Sequence, residues 1–310
     1  MRSSILPTYC GPTSPKRSYT GPSRPIRAET AGLEGFEVLT RIVVAVVLAP
    51  LFFVVLFFLP PIWLGCLLAC ICAMASFELL RATKVAHHNG MYVYTAVAAA
   101  LVPLCCYGWG YNGWPVGVVA MLLLVTLFLL AIKLYGTEKA IGFEKIMVCM
   151  FGGLFVPLCL SALAVLKGME HGKYLVLLPV ISAFLTDAGA YFAGVFLGKH
   201  RGITRVSPNK SLEGYIGGIV SGGVFMLLYG LVLQQFAGIT VSFPALALYG
   251  LVGSAVTELG DLSFSLVKRQ YGIKDYGTLL PGHGGMLDRF DSMIFAAPTL
   301  LLLVRILPAF

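Results

Sequence analysis

From about residue 40 onward the chain is a succession of apolar runs, each near the ~20 residues a helix needs to cross a ~30 Å hydrocarbon core, separated by short polar breaks. The runs predict nine membrane-spanning helices, at roughly 41–59, 61–80, 91–109, 115–133, 146–166, 174–198, 215–235, 243–262 and 290–309. Pro60 and Pro61 join the first two by a very tight hairpin, because neither can continue the preceding helix. Residues 1–38 follow a different pattern, rich in Ser, Pro, Thr and Gly, with most of their cations between Lys16 and Arg27. No apolar core of a signal peptide precedes residue 40, so this piece reads as a disordered basic cytoplasmic tail at the membrane surface. The fold class expected is all-α, a polytopic integral membrane helical bundle.

Composition agrees with the pattern. The 310 residues are 58% hydrophobic and only 12% charged, which excludes an ordinary soluble domain. With the N-terminus in the cytoplasm, every Lys and Arg except Lys167, Lys173 and Arg305 falls on the cytoplasmic side, a strong positive-inside bias. The net charge of +8 thus describes one membrane face, suited to anionic lipid headgroups or phosphates and not to nucleic acid. The eight cysteines lack metal-ligand spacing: Cys66, Cys70 and Cys72 share one apolar helix and Cys105 and Cys106 another, where free Cys behaves as a small hydrophobe.

Ionisable residues divide the bundle. The first five spans carry almost none away from their ends, so residues 39–170 read as an N-terminal transmembrane scaffold and 171–310 as the catalytic transmembrane region. Asp187 lies about eleven residues, or ~16 Å at helical rise, from the cytoplasmic end of its span. Asp187, Tyr191, Gly194 and Gly198 share one helix face, which is either the wall of a polar cavity or an interhelical packing contact. Gly214, Gly218 and Gly222 repeat at four-residue spacing and allow close helix approach. Glu258 and Asp261 end span eight and Asp288 and Asp291 begin span nine, each pair on one helix face. Carboxylates converging at a membrane surface need cations between them, and hard oxygen donors suit Mg²⁺, with ion pairs to Arg289 and Lys268 as the alternative.

Two polar loops adjoin these acids. The segment LVKRQYGIKDYGTLLPGHGGMLDRFDS, residues 266–292, alternates Lys268, Arg269, Lys274, His283 and Arg289 with glycines that include Gly284 and Gly285, so cations and close-approaching backbone N–H groups are available to an anion. His283 is either a phosphate donor or a residue that orders the loop. It is not a Walker loop, since G-x-x-x-x-G-K-[ST] is absent. The other loop, GKHRGITRVSPNKSLEGYIGG, sets Lys210 among Ser207, Pro208, Ser211 and Glu213, with a turn at Ser207-Pro208. Both loops fit a site for phosphates and metal, where an anionic membrane lipid meets a soluble phosphorylated compound.

The run Ser265-x-Val267-Lys268-Arg269-x4-Lys274-Asp275-x-Gly277-x2-Leu280-Pro281-x-His283-Gly284-Gly285-Met286-x-Asp288-Arg289-Phe290-Asp291 resembles the signature of phosphatidate cytidylyltransferases, the CDP-diacylglycerol synthases. GDLSFSLVKR, TDAGAYFAG and SPNKSLEGYIGG are similar to further stretches of that family, with Ser211 and Leu212 standing where it commonly has Thr and Trp. The resemblance covers about residues 186–292. It implies an enzyme that joins CTP to phosphatidic acid, giving CDP-diacylglycerol and pyrophosphate, requires Mg²⁺ with room for a second metal ion, and forms homodimers. It makes Asp261, Asp288 and Asp291 the expected metal ligands. Lys210, Lys268, Arg269, Lys274, His283 and Arg289 are then expected at the reacting phosphates, and Asp187, Tyr191, Ser207, Pro208, Ser211, Glu213, Gly284 and Gly285 at the substrates. A bacterial plasma membrane with the active site on its cytoplasmic face is the expected location. A transporter is disfavoured because the acids cluster at helix ends and no repeat pairs the two halves, and a CDP-alcohol phosphotransferase because D-G-x-x-A-R is missing.

Overall fold

The computed structural model describes residues 46, 50–84, 89–111, 113–279 and 284–310; the tail expected over 1–38 lies outside them. Helix α1 is described over residues 50–57. Then come α2 (Pro61–Ala82), α3 (Asn89–Trp109) and α4 (Trp114–Lys133). They are followed by α5 (Phe143–Gly168), α6 (Gly172–Phe196), α7 (Leu212–Phe236), α8 (Phe243–Gln270) and α9 (Leu287–Ile306). Among the described residues there is no strand; Arg201 and Ser211 form an isolated antiparallel bridge. In a hydrocarbon solvent every backbone polar group must be satisfied within its own segment, which is why an apolar run of this length becomes a helix.

Helices α2 to α8 are each long and apolar enough to cross a membrane. The nine-span expectation is therefore approximate. Helix α1 is described for only part of its predicted run, and α9 carries Asp288, Arg289, Asp291 and Arg305, which reduce its apolar character. Phe58, Phe192, Phe196, Val220, Leu231 and their neighbours present exposed apolar side chains outward, as a lipid-facing surface does.

The hairpin at Pro60-Pro61 shows how local chemistry is settled. The Leu56 carbonyl would ordinarily receive the N–H of residue 60, but Pro60 has none, and the N–H of Leu59 turns to Val54 instead. Lys167, at the end of α5, donates to both orphaned carbonyls, Val55 at 2.6 Å and Leu56 at 2.7 Å, and is itself buried. Lys167→Met keeps the stem and removes the donor. It is expected to cost about 2 kcal/mol, a fall of several degrees in the detergent melting temperature, with no change at the cleft described below.

Packing places the helices in two groups. Helices α2, α3 and α4 pack with α5, while α6, α8 and α9 pack with one another and α7 packs on α6 and α8; α5 and α2 also touch α9 and so join the groups. The α5 helix widens into a π-turn at Phe151–Phe155, where Gly152 lies against Leu79 and Leu80 and Gly153 against Thr95 and Leu123. The α6–α7–α8 contact uses the predicted glycine row. Side chains at Gly214 and Gly218 would run into Ala190 and Thr186, and one at Gly222 into the Thr186–Ser254 hydrogen bond (2.7 Å) that links α6 to α8. The seven described cysteines are free.

Candidate active site

Close α6–α7 packing carries the polar loop between those helices over the ends of α8 and α9. Ser211 is the N-cap of α7, its Oγ accepting the N–H of Gly214 at 3.1 Å, and it pairs with Arg201 across the isolated bridge. This capping fixes Lys210, the preceding residue. Its Nζ lies 2.7 Å from Glu258 Oε2 and 2.6 Å from Asp261 Oδ2, both on α8, and above the Tyr215 ring. Burial alone would lower the Lys210 pKa, but the Asp261 and Glu258 carboxylates outweigh that and hold it above the ordinary lysine value. A raised pKa means the ion pairs persist through neutral and mildly alkaline pH and fail only as pH climbs past it.

The second node is Asp288, in the first turn of α9. Lys268 Nζ lies 3.0 Å from Oδ1, while Oδ2 accepts two backbone N–H groups, Tyr276 at 2.8 Å and Gly285 at 3.0 Å. Gly284 adopts φ +80°, which lets the loop turn back so that the next N–H faces the helix. The Tyr276 hydroxyl donates to the Phe264 carbonyl at 2.9 Å and its ring lies under Lys268. Burial first, with Asp288 and Asp291 adding, raises the Tyr276 pKa and keeps that hydroxyl neutral.

Between the two nodes opens a cleft of about 560 Å³, lined by Asp187, Tyr191, Asn209, Lys210, Asp261 and Asp291 among others. One wall is α6, the rim is the 197–211 loop, and the floor is the turn of α8 bearing Asp261 with the start of α9; α8 runs on to Gln270, so Glu258 and Asp261 lie within it and not at its end as the expected span 243–262 would have them. Acids face a smaller set of cations across a partly dry space, an arrangement that binds polyanions only with further positive charge.

A model of the cytidylyltransferase family matches residues 39–307. The chain belongs to this family. A phosphatidate cytidylyltransferase of Thermotoga maritima is 32% identical over 275 residues, covering 86% of this chain and 96% of that protein. One from Bacillus subtilis is 33% identical over 198 residues, 64% of this chain and 70% of that protein. A third, from Staphylococcus epidermidis, is 42% identical over 135 residues, 44% and 50% of the two chains.

Within this cytidylyltransferase, the site residues expected from sequence divide in two. Asp187, Tyr191, Lys210, Ser211, Asp261, Asp288, Arg289 and Asp291 line the cleft. Lys268 and Gly285 stand behind it, holding Asp288. Arg269 braces the opposite loop, its Nε donating to the Val206 carbonyl at 3.3 Å. Ser207 and Pro208 form the turn before Lys210 and do not line the cleft; Ser207 takes its contacts from Thr204 and Lys210. Glu213 turns away to His200, with Oε1 2.6 Å from Nδ1. Lys274 is exposed on its loop, and His283 lies outside the described residues. Arg201 and Asn209, which belong to the loop marked by its cationic, turn-rich character, line the cleft as well, together with Tyr215, which nothing in the sequence marks.

One residue of the N-terminal half reaches this site. Glu78 of α2 is 6% exposed, and its Oε2 accepts the N–H of Leu287 at 2.9 Å, at the start of α9. It lies near the end of its span, where sequence alone gives it no partner.

Among the described residues, no three His, Cys, Asp or Glu side chains are grouped closely enough to hold a metal ion unaided. The oxygens of Asp288 are already committed to Lys268, Tyr276 and Gly285. Asp261, Asp291 and Asp187 open into the cleft as hard donors on its walls. That set fits Mg²⁺ when phosphate oxygens of a substrate complete the shell, which is how Mg²⁺ usually binds.

Proposed function

We propose that this cleft is where CTP and phosphatidic acid are joined to give CDP-diacylglycerol and pyrophosphate, the activity named in the family's bacterial members. The observation that carries it is the convergence of Lys210, Asp261 and Asp291 on one cleft between α6, α8 and the start of α9. A phosphate oxygen of phosphatidic acid, ionised at neutral pH, attacks the α-phosphorus of CTP; the bond to the β-phosphate oxygen breaks and pyrophosphate leaves. No protein base is required, so the protein contributes position and charge. Lys210, Arg201 and Arg289 face the phosphates. Asp187 and Tyr191 form the wall toward the bilayer, from which the lipid comes. Asp261 and Asp291, with Asp187 across the cleft, would hold Mg²⁺, which would neutralise the nucleotide phosphates.

The positive-inside bias supports a cytoplasmic active site, and the bacterial relatives support a bacterial plasma membrane. The glycine-lined, closely packing helices are compatible with a homodimer. The test is pyrophosphate release by the purified chain given CTP, phosphatidic acid and Mg²⁺. Release should require all three, and label at the α-phosphate, not the γ-phosphate, should appear in the lipid. Transfer of γ-label would make the protein a CTP-dependent lipid kinase, and no release would remove the reading.

A further inference from the structure

We propose that Glu78 is a positioning residue for cytidylyl transfer, acting from the N-terminal half of the bundle through the first turn of α9; this rests on the transfer reading of the cleft. Its buried carboxylate stands directly behind the Asp288 node. Oε2 takes the N–H of Leu287, the residue before Asp288, at 2.9 Å. Gly277 and Gly285 press on the same carboxylate so closely that a Cβ at either would collide with it. Both neighbours of that contact serve Asp288: Tyr276, next to Gly277, and Gly285 itself donate their N–H groups to Asp288 Oδ2 at 2.8 and 3.0 Å. Glu78 is therefore the surface against which two stretches of loop and one helix start are registered. The other face of that assembly is the cleft wall bearing Asp288 and Asp291.

A helix start needs only an acceptor for its free N–H groups, and many residues supply one locally. Here the acceptor comes from another helix 209 positions away in sequence, buried, beside two glycines that admit nothing larger. Its Oε1 has no hydrogen-bond partner among the described residues. Burying a carboxylate this way is costly, and the geometry it secures is that of the acids facing the substrate. A displacement of about 1 Å at a reacting centre can cost about a hundredfold in rate.

The experiment uses the full chain purified in detergent, with CTP, dioleoyl phosphatidic acid and Mg²⁺. Rates are expressed per monodisperse protein so that loss of folded material does not count as loss of catalysis. Glu78→Ala should lower kcat by roughly 30-fold or more while the KM for CTP moves by less than about threefold, because the cations that line the cleft are untouched. Glu78→Gln, which keeps an acceptor oxygen for Leu287, should restore most of that loss. Lys167→Met, destabilised far from the cleft, should keep its kcat. If Glu78→Ala gives no monodisperse protein, Glu78→Asp, one methylene too short for the Leu287 N–H, carries the same expectation. The proposal is overturned if the shortened variants keep their kcat, if they lose no more than Lys167→Met does, or if Gln restores nothing. Absence of pyrophosphate release in the unaltered protein would instead overturn the transfer reading on which it rests.

Discussion

Asp291→Asn should reduce pyrophosphate release to roughly a thousandth of the native rate while leaving the melting temperature within a few degrees. The side chain is 6% exposed, lines the cleft, and uses one oxygen to accept its neighbour's N–H, from Ser292 at 2.8 Å. An amide of the same shape can keep that bond, so the fold loses little. What it loses is a negative charge among the acids proposed to hold Mg²⁺, and several kcal/mol of transition-state stabilisation translate into about three powers of ten. Asp288→Asn should be as damaging to turnover but for a different reason, and the difference is measurable. Its carboxylate pairs with Lys268, whose side chain is only 11% exposed, and collects two backbone N–H groups. The amide would turn a donor toward either an ammonium or an N–H. That leaves a nearly buried cation unpaired and should lower the melting temperature clearly, by the equivalent of about 3 kcal/mol. Equal thermal stability in the two variants would mean that Asp288 does not organise the loop. Near-native turnover in Asp291→Asn would remove the cleft acids from the reaction.

The parts of this protein that sequence makes legible are those governed by strong, local rules. An apolar run in lipid has few options but a helix, so α2 to α8 fall where the hydropathy places them, and Pro60-Pro61 breaks the chain for lack of N–H donors. Acids within apolar helices are conspicuous because they are costly, and Asp187, Asp261, Asp288 and Asp291 do share a cleft. Legibility fails where a residue's partner is set by tertiary packing. Glu213 lies in the right loop but finds His200, and Ser207-Pro208 satisfies a turn that ends short of the cleft. Ion pairing of Asp288 with Lys268 was an open alternative to metal binding, and spacing could not choose between them, since both require the same residues at the same distance. Glu78 and Lys167 are the clearest cases. Each is a single charge near a span's end, indistinguishable in sequence from a solvated one, and each is buried because a distant helix terminus lacks a partner.

Lys210→Met should lose both stability and activity, and a second substitution should separate the two. The ammonium is shared between Glu258 Oε2 and Asp261 Oδ2, with the Glu258 side chain only 5% exposed and its Oε1 without a hydrogen-bond partner among the described residues. Removing one member of a buried ion pair costs about 3–5 kcal/mol, mostly because the remaining charge is stranded. Turnover should fall roughly a hundredfold or more as well, since the ammonium that bridges both α8 acids would no longer be available to the nucleotide phosphates. Adding Glu258→Gln removes the stranded charge. The double variant should recover a large part of the melting temperature, as coupled neighbours do, yet remain as slow as Lys210→Met alone. If it regained turnover together with stability, Lys210 would be a structural counter-ion to Glu258 and the phosphates would be met by Arg201 and Arg289 instead. If neither recovered, Asp261 rather than Glu258 would be the partner whose charge Lys210 balances, which Asp261→Asn in the same background would then reveal.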